Sequence, residues 1–270
     1  MSAQSEKARA FEALDRASGG FILPNPWDAG TARIMAHHGF KALATSSAAF
    51  ANGIGRSDYQ VTRDEALEHC RVIAAATDLP VTADLEKCFA DKPDGVADTV
   101  LMASETGIVG CSVEDATGDS GIPLFPFEMA VERVRLAVVA ARRLGFPFTI
   151  TARTEEMFVG KKDLGEAIRR LQAFEKAGAH CVYATGLTSA EQVRQVCAGV
   201  KTPVNVMAMK MLDANELIGI GVKRVSLGPW FQRAAYAGLL EAIAEVKEKG
   251  TFTFAAKAPT GGDIAKMMKG

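Results

Sequence analysis

The chain has 270 residues, 48% hydrophobic and 23% charged, which excludes a disordered or fibrous protein and suits one large α/β domain or two small ones. A formal net charge of −1 gives no electrostatic basis for binding nucleic acid or an anionic membrane. Cys70, Cys88, Cys111, Cys181 and Cys197 form no CxxC pair, no apolar run spans a bilayer, and "MSAQSEKARAFEALDRAS" lacks the apolar centre of a secretory leader. The expectation is a cytoplasmic protein with reduced thiols.

After a short N-terminal helix, the chain repeats one pattern: a β-branched run, a polar turn, an amphipathic helix. The strands read as "FILPNPW" (21–27), "KALATSS" (41–47), "PVTADLE" (80–86), "GCSVED" (110–115), "FTITART" (148–154), "CVYATG" (181–186), "VNVMA" (204–208) and "RVSLGP" (224–229). Several follow a glycine that closes the preceding helix, as in "HHGFKAL" and "AGAHCVY", and others enter through proline, as in "DLPVTA" and "KTPVNV". "TRDE" (62–65) and "TSAE" (188–191) read as capping boxes, and "DLGE" and "DANE" place an Asp at the helix start. Eight such units without a linker predict a single (β/α)8 TIM barrel over 1–270, ending in a C-terminal tail. A doubly wound open sheet is the alternative, weakened by the lack of GxGxxG after the first strand.

Barrel chemistry sits at the C-terminal strand ends. Those ends carry Asp28, Ser46 and Ser47, Asp84 and Glu86, Glu114 and Asp115, Arg153 and Glu155, Thr185 and Asn205. If "PVTADLE" is a strand throughout, Asp84 and Glu86 share a face and repel unless a cation or water lies between them. Any one carboxylate is explained by helix capping or by pairing with Arg153. The set together suits a hard divalent ion with oxygen ligands, such as Mg²⁺. Lys210 invites a Schiff-base aldolase, which would leave the carboxylates unexplained. Cys88 follows Lys87, yet a buried, unreactive thiol is the simpler reading. His37 and His38 read as a helix end before Gly39.

The segments "NPWDAGTARIMAHHGFKAL", "PVTADLE", "GCSVEDATGD", "TITARTEE" and "RLQAFEKAGAHCVYATGLTSAEQV" resemble the isocitrate lyase/phosphoenolpyruvate mutase superfamily, in order, from about Phe21 to "KGTFTFA". The resemblance implies a (β/α)8 barrel whose last helix is exchanged between subunits of a homodimer or homotetramer. It implies Mg²⁺, with Mn²⁺ as a substitute, and small 2-oxo or 2-hydroxy acids cleaved through an enolate. Asp84 matches the direct metal ligand, Glu86 stands where relatives carry a second Asp, and Glu114 matches a carboxylate holding metal waters. Asp58 in "GRSDYQVT" resembles a further metal-water Asp. Arg153 matches the Arg that grips the substrate, Ser46 and Ser47 the segment offering backbone N–H groups, and Asn205 a substrate-fixing position. Trp27 and Asp28 match a structural "WD".

Two departures bear on the reaction. The isocitrate and methylisocitrate lyases carry a KKCGH-like loop after the fourth strand, where this chain reads "DATGDSGIPLFPFEMA". The Glu common at the end of the sixth strand is absent from "YATGL", where Thr185 stands near its place. The resulting expectation is an Mg²⁺-dependent carbon–carbon lyase of decarboxylating or retro-aldol type. The alternatives are phosphonomutase-type C–P chemistry and a non-catalytic barrel that binds a small acid or a partner.

Overall fold

The computed structural model describes residues 2–269. Eight parallel strands form one sheet: β1 (Phe21–Leu23), β2 (Leu43–Ala44), β3 (Val81–Ala83), β4 (Gly110–Glu114), β7 (Thr149–Thr154), β8 (Cys181–Ala184), β9 (Val204–Met207) and β10 (Arg224–Ser226). A two-stranded antiparallel hairpin, β5 (Ala116–Asp119) and β6 (Ile122–Leu124), is inserted after β4. The sheet runs β1-β10-β9-β8-β7-β4-β3-β2, which is the order of a barrel cut between β1 and β2. There the Ala44 N–H donates to the Pro24 carbonyl at 3.0 Å and bridges the seam. The Asn25 amide reinforces it, donating to the Thr45 carbonyl and accepting from the N–H groups of Leu227 and Gly228. The architecture is the (β/α)8 barrel that the repeating pattern predicts.

Local chemistry explains the element ends. Thr62 and Glu65 form a reciprocal capping box, as do Asp213 and Glu216, and Asp163 caps the helix Leu164–Lys176. Asp28 caps the helix Ala29–His37, which ends at His37 and His38 before a left-handed Gly39. "TSAE" departs from expectation: Ser189 is the cap, one residue later, and accepts from Gln192 N–H, while Gln192 reaches back to Thr188.

The third strand brings a larger correction. It ends at Ala83, and Glu86 has φ 51°, so Asp84 and Glu86 do not share the face of one strand. Cys88 and Phe89 also lie in the left-handed region, at φ 55° and 53°. Non-glycine residues rarely adopt this conformation, and a run of them persists only when packing over-determines it. Cys88 is fully buried beneath the run, and Arg133 donates to the carbonyls of Lys87, Ala90 and Asp91. The thiol is a packing group, as expected, and Cys111 and Cys181 are likewise in the core.

The N-terminal helix Ala3–Arg16 closes the bottom of the barrel. Its Asp15 pairs with the buried Arg224 of β10, whose guanidinium also packs 4.5 Å from the Phe11 ring centre and donates to Thr151. At the other end of the chain, the tail continues as a short 3₁₀ turn (Thr253–Lys257) and a helix (Gly261–Met267) that docks through Arg33 on the Met268 carbonyl. No helix among the described residues is long and apolar enough to cross a membrane.

Candidate active site at the C-terminal mouth of the barrel

The C-terminal strand ends open into a cavity of about 550 Å³. Ser46, Ser47, Asp58, Asp84, Arg153, Thr185 and Asn205 all line it. Of the proposed metal ligands, only Asp84 faces this space. Glu86 turns into a small adjoining pocket shared with Asp84, Ser47, His69 and Phe89. Glu114, 2% exposed, lies behind Arg153.

Arg153 is the hub. It stands opposite Glu114 in the β4–β7 register, and its guanidinium reaches Asp84 and Glu114 at 3.4 Å each. Glu155 makes a closer ion pair, and the Tyr183 ring lies under the guanidinium at 5.3 Å. Burial works against the Arg153 charge, but Glu155, Glu114 and Asp84 outweigh it and hold its pKa well above the usual value.

Asp84 is held on both oxygens. One accepts from the N–H and hydroxyl of Ser47 at 3.2 and 3.1 Å; the other accepts from Ser112 at 3.2 Å and from Arg153. The Ser47 N–H is therefore directed at a carboxylate, and Ser46 caps the short helix Ser47–Gly53. Thr185 donates to the Thr154 carbonyl. Asn205 donates to Ser226 at 3.0 Å, leaving its Oδ1 buried without a partner.

Some members of the cluster were not legible as site residues. Tyr59, beside Asp58, donates its hydroxyl to Glu114 at 2.5 Å. Ser112 shares a strand face with Glu114, so period-two counting points to it. Asp115, by contrast, leaves the site: it accepts from Thr154, the Glu155 N–H and Arg170, and fastens the end of β7. His69 is structural too. It stacks on Phe50 at 3.9 Å, and burial lowers its pKa to about 4.

The electrostatics leave this cluster short of positive charge. Asp58, Asp84, Glu86, Glu114 and Glu155 gather around the single guanidinium of Arg153. Burial, then Asp84 and Asp58, push Glu86 up to about 8, and its Oε1 is buried with no hydrogen-bond partner. Burial and Asp84 raise Asp58 as well, and burial holds Glu114 well above the carboxylate range. Among the described residues, no three His, Cys, Asp or Glu side chains converge into a ready-made cage. An all-oxygen set with an orphaned carboxylate oxygen fits Mg²⁺, which keeps several waters and takes only one or two carboxylates directly.

Fold and site together define a (β/α)8 enzyme scaffold with carboxylates set around one arginine. Residues 11–247 match the family model described as phosphoenolpyruvate phosphomutase, and the chain belongs to that family, within the isocitrate lyase/phosphoenolpyruvate mutase superfamily of enzymes. A candidate lyase/mutase from Burkholderia cenocepacia J2315 has the same fold, with a TM-score of 0.97 and 46% identity over 100% of this chain and 98% of that one. A Corynebacterium glutamicum protein assigned as 2-methylisocitrate lyase 1 is 28% identical over 91% of this chain and 83% of its own length. An oxaloacetate decarboxylase of Pseudomonas putida (strain GB-1) is 27% identical over 86% and 81%.

Proposed function

We propose that the chain is an Mg²⁺-dependent carbon–carbon lyase acting on a small 2-oxo or 2-hydroxy acid through an enolate. The observation that carries this reading is Arg153, fixed at the cavity wall by Asp84, Glu114 and Glu155. Asp84 would hold the ion, with Glu86, Glu114 and Asp58 acting on its waters; Mn²⁺ fits the same oxygens. Bound there, the ion supplies a Lewis acid for the substrate oxygens.

The protein groups do the rest. Arg153 offers paired N–H donors to the carboxylate or to the oxygen that gains charge. Ser47 and Ser112 orient Asp84, and Tyr59 orients Glu114. Asn205 and Thr185 line the substrate side of the cavity. The relatives favour cleavage of a C–C bond by retro-aldol reaction or decarboxylation. Either route leaves one enolate that must take up a proton, and the β5–β6 hairpin, which stands where relatives carry the KKCGH-like loop, has no Cys or Lys to deliver it, so solvent is the donor in this reading.

Thermal melts test this reading. Mg²⁺ and oxalate, an enolate mimic, should stabilise the protein jointly, and Asp84→Asn should abolish the joint effect. If neither ligand moves the melt, the metal–enolate reading fails and a non-catalytic barrel takes its place. Turnover of oxaloacetate, 2-alkylmalates, methylisocitrate and phosphonopyruvate then fixes the branch. Release of pyruvate or glyoxylate from a carbon acid supports the lyase, and exclusive turnover of phosphonopyruvate moves the assignment to C–P chemistry.

The same reading includes a homodimer or homotetramer in the reducing cytoplasm. The last long helix, Trp230–Lys249, leaves Leu239, Leu240, Ile243 and Val246 exposed, and Phe252 follows them. Leu239, Ile243 and Val246 fall on one helical face, an apolar stripe that a second copy would cover. All five cysteines are free thiols, which accords with a reducing compartment.

A further inference from the structure

We propose that Arg133 is a positioning residue for the Mg²⁺ site: it holds the left-handed turn that carries Glu86 and ties that turn to the base of the β5–β6 hairpin. The role rests on the metal reading above. Its mark is a buried guanidinium with no carboxylate of its own.

Arg133 lies in the helix Phe127–Arg142, on the face that also buries Ala130, Val134 and Ala137. Residues at this spacing form the apolar face of the helix, and a charge among them is out of pattern. Arg133 is 1% exposed. Two residues on, the half-exposed Arg135 pairs with Glu132. Arg133 has no such pair among the described residues; Asp91, whose carbonyl it holds, gives its carboxylate to Lys87 instead. Its Nε is also buried without an acceptor. An unpaired buried charge is costly, and an apolar side chain of similar volume commonly packs as well or better. Packing alone therefore does not account for a guanidinium here.

The group is spent on main-chain carbonyls. Nη1 donates to Ala90 and Asp91 at 2.6 and 2.9 Å, and Nη2 donates to Lys87 at 2.6 Å. These carbonyls bracket the turn in which Glu86, Cys88 and Phe89 take positive φ. Such a turn is strained and needs anchors. The Glu114 N–H holds the Glu86 carbonyl at 3.1 Å, and the Thr99 hydroxyl holds that of Cys88 at 2.8 Å. Arg133 spans the rest, from Lys87 to Asp91, with a planar fork that an ammonium cannot reproduce. The Phe125 ring centre lies 4.0 Å from the same guanidinium. Phe125 follows β6, and its N–H donates to the Asp115 carbonyl at 2.8 Å, closing the hairpin at its base. One side chain thus joins the segment after β3, which bears Asp84 and Glu86, to the hairpin after β4.

The experiment titrates Mg²⁺ into the full chain by calorimetry with oxalate saturating, and follows hydrogen exchange of residues 84–92 in metal-free protein by mass spectrometry. Arg133→Lys keeps the charge and loses the fork; Arg133→Met loses both. Asp15→Ala, which breaks a buried ion pair outside the cavity, is the control for general destabilisation. Both Arg133 variants should bind Mg²⁺ about 10- to 100-fold more weakly, the usual loss when a group that orients metal carboxylates is removed. Exchange over 84–92 should quicken while that of β7 is unchanged, and Asp15→Ala should keep wild-type Mg²⁺ affinity. Wild-type affinity in folded Arg133→Lys or Arg133→Met overturns the positioning role alone; if Arg133→Met does not fold, Arg133→Lys decides. Equal weakening in Asp15→Ala also overturns it, since global destabilisation would then be the cause. Failure of the wild type to bind Mg²⁺ overturns the metal reading and this role with it.

Discussion

Arg153 and Glu114 face each other across the β4–β7 ladder, and their side chains meet at 3.4 Å where Glu114 is shut off from solvent. The proposed site and the stability of the fold therefore depend on the same pair. Arg153→Ala strands Glu114 and Glu155 as buried, unpaired carboxylates and should cost about 3–5 kcal/mol in urea denaturation. Arg153→Lys should recover only part of this, because a single ammonium cannot serve several carboxylates as the planar fork does.

The orphaned Glu86 sets a pH dependence. Its folded pKa of about 8 lies above its unfolded value of about 4.3, so the folded state binds the extra proton between those values. Its contribution is complete below the unfolded pKa and is lost as pH rises through 8. His69 runs the other way: lowered to about 4, it contributes above its unfolded pKa of about 6.5 and loses that contribution as pH falls through 4. Chemical denaturation of metal-free protein should show stability declining from neutral pH toward pH 9. Glu86→Gln should flatten that decline and gain on the order of 1–3 kcal/mol at the alkaline end. An unchanged slope would show that Glu86 is not the group responsible.

At the floor of the barrel, Asp15→Ala leaves Arg224, 1% exposed, without its partner. A loss of about 3–5 kcal/mol is expected, measured as a lower thermal midpoint. Oxalate and Mg²⁺ should still raise that midpoint by the wild-type increment, because Asp15 lies outside the cavity and Arg224 meets it only at the floor, where it bonds neither Asp84 nor Arg153.

The apolar stripe on the last long helix gives a test of assembly. Leu240 is 64% exposed beside Leu239 and Ile243. Ile243→Glu together with Leu240→Glu should shift the sedimentation coefficient to that of a monomer, with little loss of secondary structure by circular dichroism. An oligomer of wild-type size in the double variant would exclude this stripe as the interface.

The barrel was legible because its signals are local. Pro and Gly mark the strand entries, Thr62 and Asp213 cap their helices through side chains three residues on, and β-branched runs lie between. Asp84, Arg153 and Asn205 were legible as strand-end polar groups for the same reason. The geometry of Glu86 was not: an apolar strand that turns charged looks continuous in sequence, while the chain leaves the sheet at Ala83 and turns left-handed to bury Cys88. The roles of Asp115 and Tyr59 depend on partners distant in sequence. Arg170 comes from a helix 55 residues away, and Glu114 likewise lies 55 residues from Tyr59. The β5–β6 hairpin hid in a Gly- and Asp-rich segment that reads as loop.

The seam between β1 and β2 gives the ring a single latch. Elsewhere neighbouring strands are joined by a ladder, but here the Asn25 amide and the Ala44–Pro24 bond carry the closure, and Asn25 ties the first strand to loops from both the second and the last. The joint adjoins Ser46 and Ser47 on one side and the Gly228–Trp230 turn on the other, so one amide side chain sets the spacing of two banks of the cavity.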